Sequence, residues 1–383
     1  MSSQTVEWRH LLHRIPETGF EARETADAVA EILTGLGVEH VRGVGRTGIV
    51  ATLRRCSSDR AIGLRADMDG LPIGEQTGLP YSSEHADRMH ACGHDGHMAM
   101  VLGAAARLLD EGGFDGTVHL VFQPAEEHGL GAKAMLADGL LERFPMQMMF
   151  GLHNLPGLPT GTLHTRAGGI MASEDNFEIR VHGRGGHAAR PQHVVDPIVV
   201  AAEIVLALQT IVARNVDPSL SAVVSCTEIR TDGARNAIPG EVVITGDTRS
   251  FDPSVQQLLE RRMRELCTGI ASAYGASADV SYTYEFQPTV NDPEATAAAV
   301  AAATAALGAD SVDADCLPIM GSEDFGAFGR AVPSCFAFLG NGTEPGAGGT
   351  PLHSRDYRLN DDILEPGIDY YVALVRSLLP EGV

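Results

Sequence analysis

The stretch MHACGHDGHM, residues 89–98, places a thiol, three imidazoles and a carboxylate within ten positions. Elsewhere the chain offers Asp67 and Asp69 in RADMDG, Glu126 and Glu127 in QPAEE, His153 in GLHN and His353 in PLHS. A soft thiolate with several imidazoles and carboxylates suits a borderline transition ion such as zinc, manganese, cobalt or nickel. Calcium or magnesium would take an all-oxygen set instead. Adjacent glutamates fit such chemistry, because one can bind the ion while its neighbour takes a proton from the water that the ion acidifies. The rival reading is a thiol hydrolase with Cys92 as nucleophile and His94 as base. It leaves the two glutamates and two distant histidines without a task.

Elements must bring these groups together. Glu21 to Leu36 has helical spacing and GIVATLRR reads as a strand. AIGLRADMDG, TVHLVFQPAEE and MQMMFGLHNLP each start as an apolar strand and end in polar or ionisable residues. In open α/β sheets, ligands bind at such carboxyl ends. HMAMVLGAAARLL, from His97, predicts a buried helix. After about residue 172 the rhythm changes to strand NFEIRVHG and helix DPIVVAAEIVLALQTIVAR, with Asp196 as cap and Pro197 in the first turn. Strands LSAVVSCTEIR and EVVITGDTRSF, helix DPSVQQLLERRMRELCTGIASAYG and strand ADVSYTYEF follow. That βαββαβ order is the ferredoxin-like unit. The predicted architecture is an α/β, mixed-sheet catalytic domain over 1–172 and 287–383, with an inserted ferredoxin-like domain over 173–286.

Lysine and arginine number 28 against 50 acidic residues, a net charge of −22 in 383 residues. Neither nucleic acid nor an anionic membrane would gain from such a surface. The amino-terminal stretch has no apolar signal-like core and no run of 18 uncharged apolar residues occurs, so a cytoplasmic protein without a membrane span is expected. The six cysteines show no CxxC pairing, which predicts reduced thiols.

In order and spacing, RADMDGLPI (65–73), HACGHDGHMAM (90–100), VFQPAEE (121–127), GLHN (151–154), GRGGHAARP (183–191), RNAIP (235–239), GSEDF (321–325) and PLHS (351–354) resemble the M20 metallopeptidase family. The resemblance is to its amidohydrolase branch of hippurate hydrolases, N-acyl-amino-acid amidohydrolases (aminoacylases) and plant auxin-conjugate hydrolases. It runs from HRIPETGFEA (13–22) to the carboxyl-terminal helix.

The resemblance implies a zinc-peptidase-like catalytic domain with one or two divalent transition ions held by Cys92, His94, Glu127, His153 and His353. Glu126 matches the general base and Asp69 the carboxylate that supports the site. Asp67 stands where peptidase branches carry a metal-binding histidine. His187 matches a histidine that reaches the site to stabilise the oxyanion, often from a partner subunit. Asn236 and Arg249 match contacts to the substrate carboxylate. Asp95 and His97 are read as orienting a ligand and capping the following helix, and His90 is left unassigned. The inserted domain is expected to serve as lid and dimerisation surface of a homodimer, or a tetramer. The implied reaction is hydrolysis of N-acyl amino acids, acetyl, benzoyl or similar, to a carboxylic acid and a free amino acid. N-acyl-diaminopimelate deacetylation belongs to the same branch. A non-catalytic member would have lost a ligand or the base, and here none is lost.

Overall fold

The computed structural model of this chain describes residues 2–381. From the amino terminus come α1 (Ser2–Arg14), α2 (Arg23–Gly35), β1 (Glu39–Val44), β2 (Gly48–Arg55), β3 (Ala61–Asp67), α3 (His94–Glu111) and β4 (Gly116–Gln123). Next are α4 (Gly131–Ala137), α5 (Leu140–Arg143), β5 (Met148–Pro156), β6 (Leu163–His164) and β7 (Gly168–Met171). The middle of the chain forms β8 (Glu174–His182), β9 (Gly186–His187), α6 (Pro197–Asn215), β10 (Ala222–Thr231), β11 (Ala237–Ile238), β12 (Glu241–Ser250), α7 (Pro253–Ala273) and β13 (Ser277–Phe286). The remainder is β14 (Thr289–Asn291), α8 (Pro293–Leu307), β15 (Val312–Asp313), α9 (Gly326–Gly329), β16 (Ser334–Gly342) and α10 (Leu364–Leu378).

The chain divides into two compact units. The first runs to Ile170 and takes up Val290–Pro318 and the chain from Asp324 onward. Among the described residues its sheet has eight strands in the order β1-β2-β4-β3-β5-β16-β6-β15. Strands β4, β3, β5 and β16 are mutually parallel, so their carboxyl ends share one edge. Every residue of β3 and of β16 is buried, as expected of strands covered on both faces. Helix α3 packs on this sheet, with α1 and α10 against it, through Leu12, Val101, Leu102, Leu108, Ile368 and Leu374. Helix α3 begins at His94, not His97 as the sequence suggested. No Ser, Thr, Asp or Asn caps it; Gly93 at φ +91° precedes it instead.

The second unit comprises Met171–Thr289 with Ile319–Glu323. The short 319–323 segment, expected with the catalytic domain, is held by Ala172 N donating to the carbonyls of Ile319 and Gly321. Its sheet is antiparallel throughout, in the order β10-β12-β8-β13. Strand β12 alternates buried and half-buried positions, so one face is covered. Helices α6 and α7 cover it, burying Val200, Ile204, Leu208, Leu259 and Met263 on Ile179, Val181 and Ile244. Asp196 caps α6 and Asp252 caps α7, each followed by proline at the first helical position. Among the described residues α6 is the one helix long and apolar enough to cross a membrane, and its apolar stripe forms part of this unit's core.

Candidate metal centre

The parallel strands β3, β4 and β5 deliver polar groups to the same sheet edge. Beyond β3, the buried carboxylate of Asp69 accepts from the backbone amides of Glu126 (3.0 Å) and Glu127 (3.3 Å), the residues that follow β4. Ala125 is left-handed, at φ +53°, a conformation that costs a non-glycine residue and turns both glutamates after the Gln-Pro step. One carboxylate thus fixes two others. From β5, His153 gives its Nδ1 proton to the Asn154 carbonyl at 2.6 Å. Its Nε2 lone pair is left facing Cys92 Sγ at 3.4 Å.

Gly93 lets Cys92 and His94 enter this edge from the start of α3. Its φ of +91° disfavours a side chain, and a Cβ there would lie 2.2 Å from Asn154 Oδ1. One donor atom each from Cys92, His94 and Glu127 lie within 4.8 Å of one another. His353, itself left-handed at φ +61°, brings Nε2 to 3.5 Å from Glu127 Oε1. Glu126 Oε2 stands 4.0 Å from His94 Nε2. The five sequence-predicted ligands and the predicted base are therefore neighbours in one place.

The electrostatics fit a cation. Both ring nitrogens of His94 and Glu127 Oε1 are buried without a hydrogen-bond partner, a costly condition that an ion would relieve. Burial alone would lower the His94 pKa, yet Asp67, Asp69 and Glu127 raise it to about 10. In effect the ring attracts a proton where a metal would sit. Burial, with His97 and His94 nearby, holds His153 well below its usual range, so it is a neutral imidazole suited to ligation. Burial pushes Glu127 up, but His353 and His94 bring it below the ordinary carboxylate value. Soft sulfur, imidazole and carboxylate donors in one cluster are the set expected for zinc or a neighbouring transition ion.

Asp67, His94, His97 and His153 form a second cluster within the same span. Two of its members have other commitments. Arg65 Nη1 donates to Asp67 Oδ2 at 2.8 Å, and His97 Nδ1 lies 2.6 Å from Asp67 Oδ1. Arg65 is buried, and its guanidinium also reaches Gln123 Oε1 and Asp324 Oδ1. Sequence reasoning missed Arg65, Asn154 and Tyr357, because an isolated Arg, Asn or Tyr beside a motif carries no spacing signal.

The remaining residues singled out in the sequence have settings of their own. Asp95 does not cap α3; its Oδ2 accepts from Arg9 Nε (2.9 Å) and pairs with His13 Nδ1 (2.8 Å), tying α3 to α1. His90 is buried with neither nitrogen hydrogen-bonded, and burial lowers it to about 3. In the second unit, β9 pairs with β11, setting His187 opposite Ala237, and Ala188 N donates to the Asn236 carbonyl. His187 and Asn236 are thus adjacent and exposed. The Arg249 guanidinium meets Asp247 Oδ2 at 2.7 Å, Glu174 Oε2 at 3.0 Å and Ser322 Oγ at 2.5 Å. Two carboxylates already neutralise it. In the thiol-hydrolase reading Cys92 was paired with His94; the imidazole that faces its sulfur is His153. That dyad leaves the unpartnered His94, both glutamates and His353 idle.

Residues 63–377 match the description Peptidase family M20/M25/M40. Hippurate hydrolase of Campylobacter jejuni is 40% identical over 371 residues, 97% of this chain and 95% of that protein. N-acetylcysteine deacetylase of Bacillus subtilis is 36% identical over 98% of this chain and 97% of its own. The crystal structure of a dinuclear metal-binding M20 peptidase from Bacillus subtilis superposes with a TM-score of 0.85 at 32% identity, covering 99% of this chain and 98% of that one.

Proposed function

The chain belongs to peptidase family M20/M25/M40, and we propose that it is a metal-dependent amidohydrolase that cleaves N-acyl amino acids into a carboxylic acid and a free amino acid. The observation that carries this reading is the convergence of Cys92, His94, Glu127, His153 and His353 on one spot with Glu126 beside them. The two curated relatives named above share a substrate form, an acyl group on the nitrogen of an amino acid.

Cys92, His94, Glu127, His153 and His353 would hold the ion or ions, of zinc, manganese, cobalt or nickel type. Such an ion, when bound, supplies Lewis acidity to the substrate carbonyl and brings the pKa of water toward neutrality. Glu126 takes the proton of the attacking water as its oxygen bonds to the carbonyl carbon. The same carboxyl then returns that proton to the amide nitrogen as the C–N bond breaks, releasing the amino acid. Asp69 keeps Glu126 and Glu127 in register by holding both amides. We assign oxyanion stabilisation to His187 and contact with the substrate carboxylate to Asn236, its neighbour; Arg249 already has carboxylate partners. A homodimer is supported by the apolar Ile198, Val199 and Leu206 that α6 leaves exposed.

The test is a hydrolysis panel of N-acetyl, N-benzoyl and longer acyl amino acids with an unacylated dipeptide, metal content being measured on the same sample. Cleavage of acyl amino acids that stops with chelation and returns with added ion is the expected result. Hydrolysis of the dipeptide alone, or activity indifferent to chelation, would refute the reading.

A further inference from the structure

A buried polar chain runs alongside the ligand cluster in the first unit. Tyr357 OH accepts from Asn154 Nδ2 at 2.6 Å. His97 Nε2 lies 3.1 Å from the Asn154 backbone N–H and 2.7 Å from its side-chain oxygen, accepting from the former as the neutral ring or donating to the latter when protonated. His97 Nδ1 donates to Asp67 Oδ1 at 2.6 Å, and Arg65 clamps the other Asp67 oxygen. Arg65, Asp67, His97, Asn154 and Tyr357 are all at most 2% exposed.

Three of the five are near neighbours in sequence of a proposed ligand. Asn154 follows His153, His97 lies one helical turn after His94, and Tyr357 is four residues beyond His353. His97 sits at the middle. On one side it fixes Asn154, whose carbonyl takes the Nδ1 proton of His153 and so leaves Nε2 as the lone pair facing Cys92. On the other side it fixes Asp67, whose second oxygen lies 3.6 Å from His94 Nε2.

We infer that His97 is a positioning residue that sets the rings of His153 and His94 for the ion, acting through Asn154 and Asp67, and is not itself a ligand. This rests on the metal-dependent reading above. The chemistry favours it: both His97 nitrogens are spent on protein partners at ordinary hydrogen-bond lengths, whereas both nitrogens of His94 have none. Partners that orient metal-binding imidazoles in this way typically change ion affinity by about 10- to 100-fold when removed.

The experiment measures zinc affinity and bound-ion number by chelator competition, with thermal unfolding of the ion-free protein, for the wild type, His97→Leu and His97→Gln. His119→Gln is the control. That residue is a buried histidine bonded to Thr52 and remote from the ligand-bearing ends of the strands. His97→Leu should bind zinc about 10- to 100-fold more weakly with an unchanged ion number. His97→Gln, which keeps a donor and an acceptor, should recover part of that loss, and His119→Gln should bind as the wild type does. Unchanged affinity with lowered ion-free stability would make His97 merely structural and overturn the inference. A lower ion number in His97→Leu would make it a ligand, and overturn it also. A wild type that binds no zinc would instead bring down the metal-dependent reading on which the inference rests.

Discussion

At Gly93 the backbone turns through φ +91° within van der Waals reach of Asn154 and Tyr357, where an added Cβ would sit 2.2 Å and 2.8 Å from their polar atoms. Gly93→Ala therefore meets strain and overlap together, and is expected to destabilise the protein by about 3 kcal/mol or more. Urea unfolding measures it, and a loss below about 1 kcal/mol would show that the turn can relax. Most of the cluster was legible in the sequence because Cys92, His94, Glu126, Glu127 and His153 stand in short blocks of rare, reactive side chains. Arg65, Asn154 and Tyr357 were not. Their significance lies in partners that are 2 to 259 residues away, and only the folded chain reveals it. Asp95 illustrates the same limit: it sits where a helix cap would be expected, yet a buried arginine and histidine on α1 claim it.

Strand ends position the site, and the apolar runs ending in Asp, Gln-Pro-Ala-Glu-Glu and His-Asn made β3, β4 and β5 readable. Helix α1 and strand β1 were missed. Strand β1 is an edge strand with mostly exposed side chains, so it lacks the alternation that marks a strand. In the second unit, β8, β12, β13 and α7 meet at Asp175, a wholly buried carboxylate that accepts from Gln256, Tyr282, Thr248 and Ser173. Burial outweighs these bonds and pushes its pKa up to about 6 from 3.8. A raised folded pKa means the protonated form is favoured in the native state. That contribution to stability is present below about pH 4 and is lost as pH rises through 6, amounting to roughly 3 kcal/mol. Asp175→Asn, a neutral stand-in for the protonated acid, should thus gain stability relative to the wild type between pH 4.5 and 7.5. Urea unfolding at the two pH values checks it; a difference that stays constant or narrows would contradict the assigned cause.

For the molecule as a whole, the order of elements was readable: a mixed α/β sheet whose chain is interrupted by a βαββαβ segment, in a fold matched at a TM-score of 0.85. The grouping of residues 319–323 with the second unit was not, because contacts distant in sequence, Ala172 N to the Ile319 and Gly321 carbonyls and Arg249 to Ser322 Oγ, accompany it. An ion that binds the native ligand cluster must also stabilise the fold. Zinc at 100 times its dissociation constant should raise unfolding free energy by about 2.7 kcal/mol, and chelation should remove the gain. Equal thermal unfolding with and without ion would argue that the cluster does not bind it. That Glu126 is the base of a metal-dependent amide hydrolysis is tested most directly by Glu126→Gln. With hippurate as substrate, the ion-loaded variant should keep the wild-type ion content and unfolding temperature while kcat falls at least about 100-fold. Hydrolysis at the wild-type rate by that ion-loaded, folded variant would contradict it.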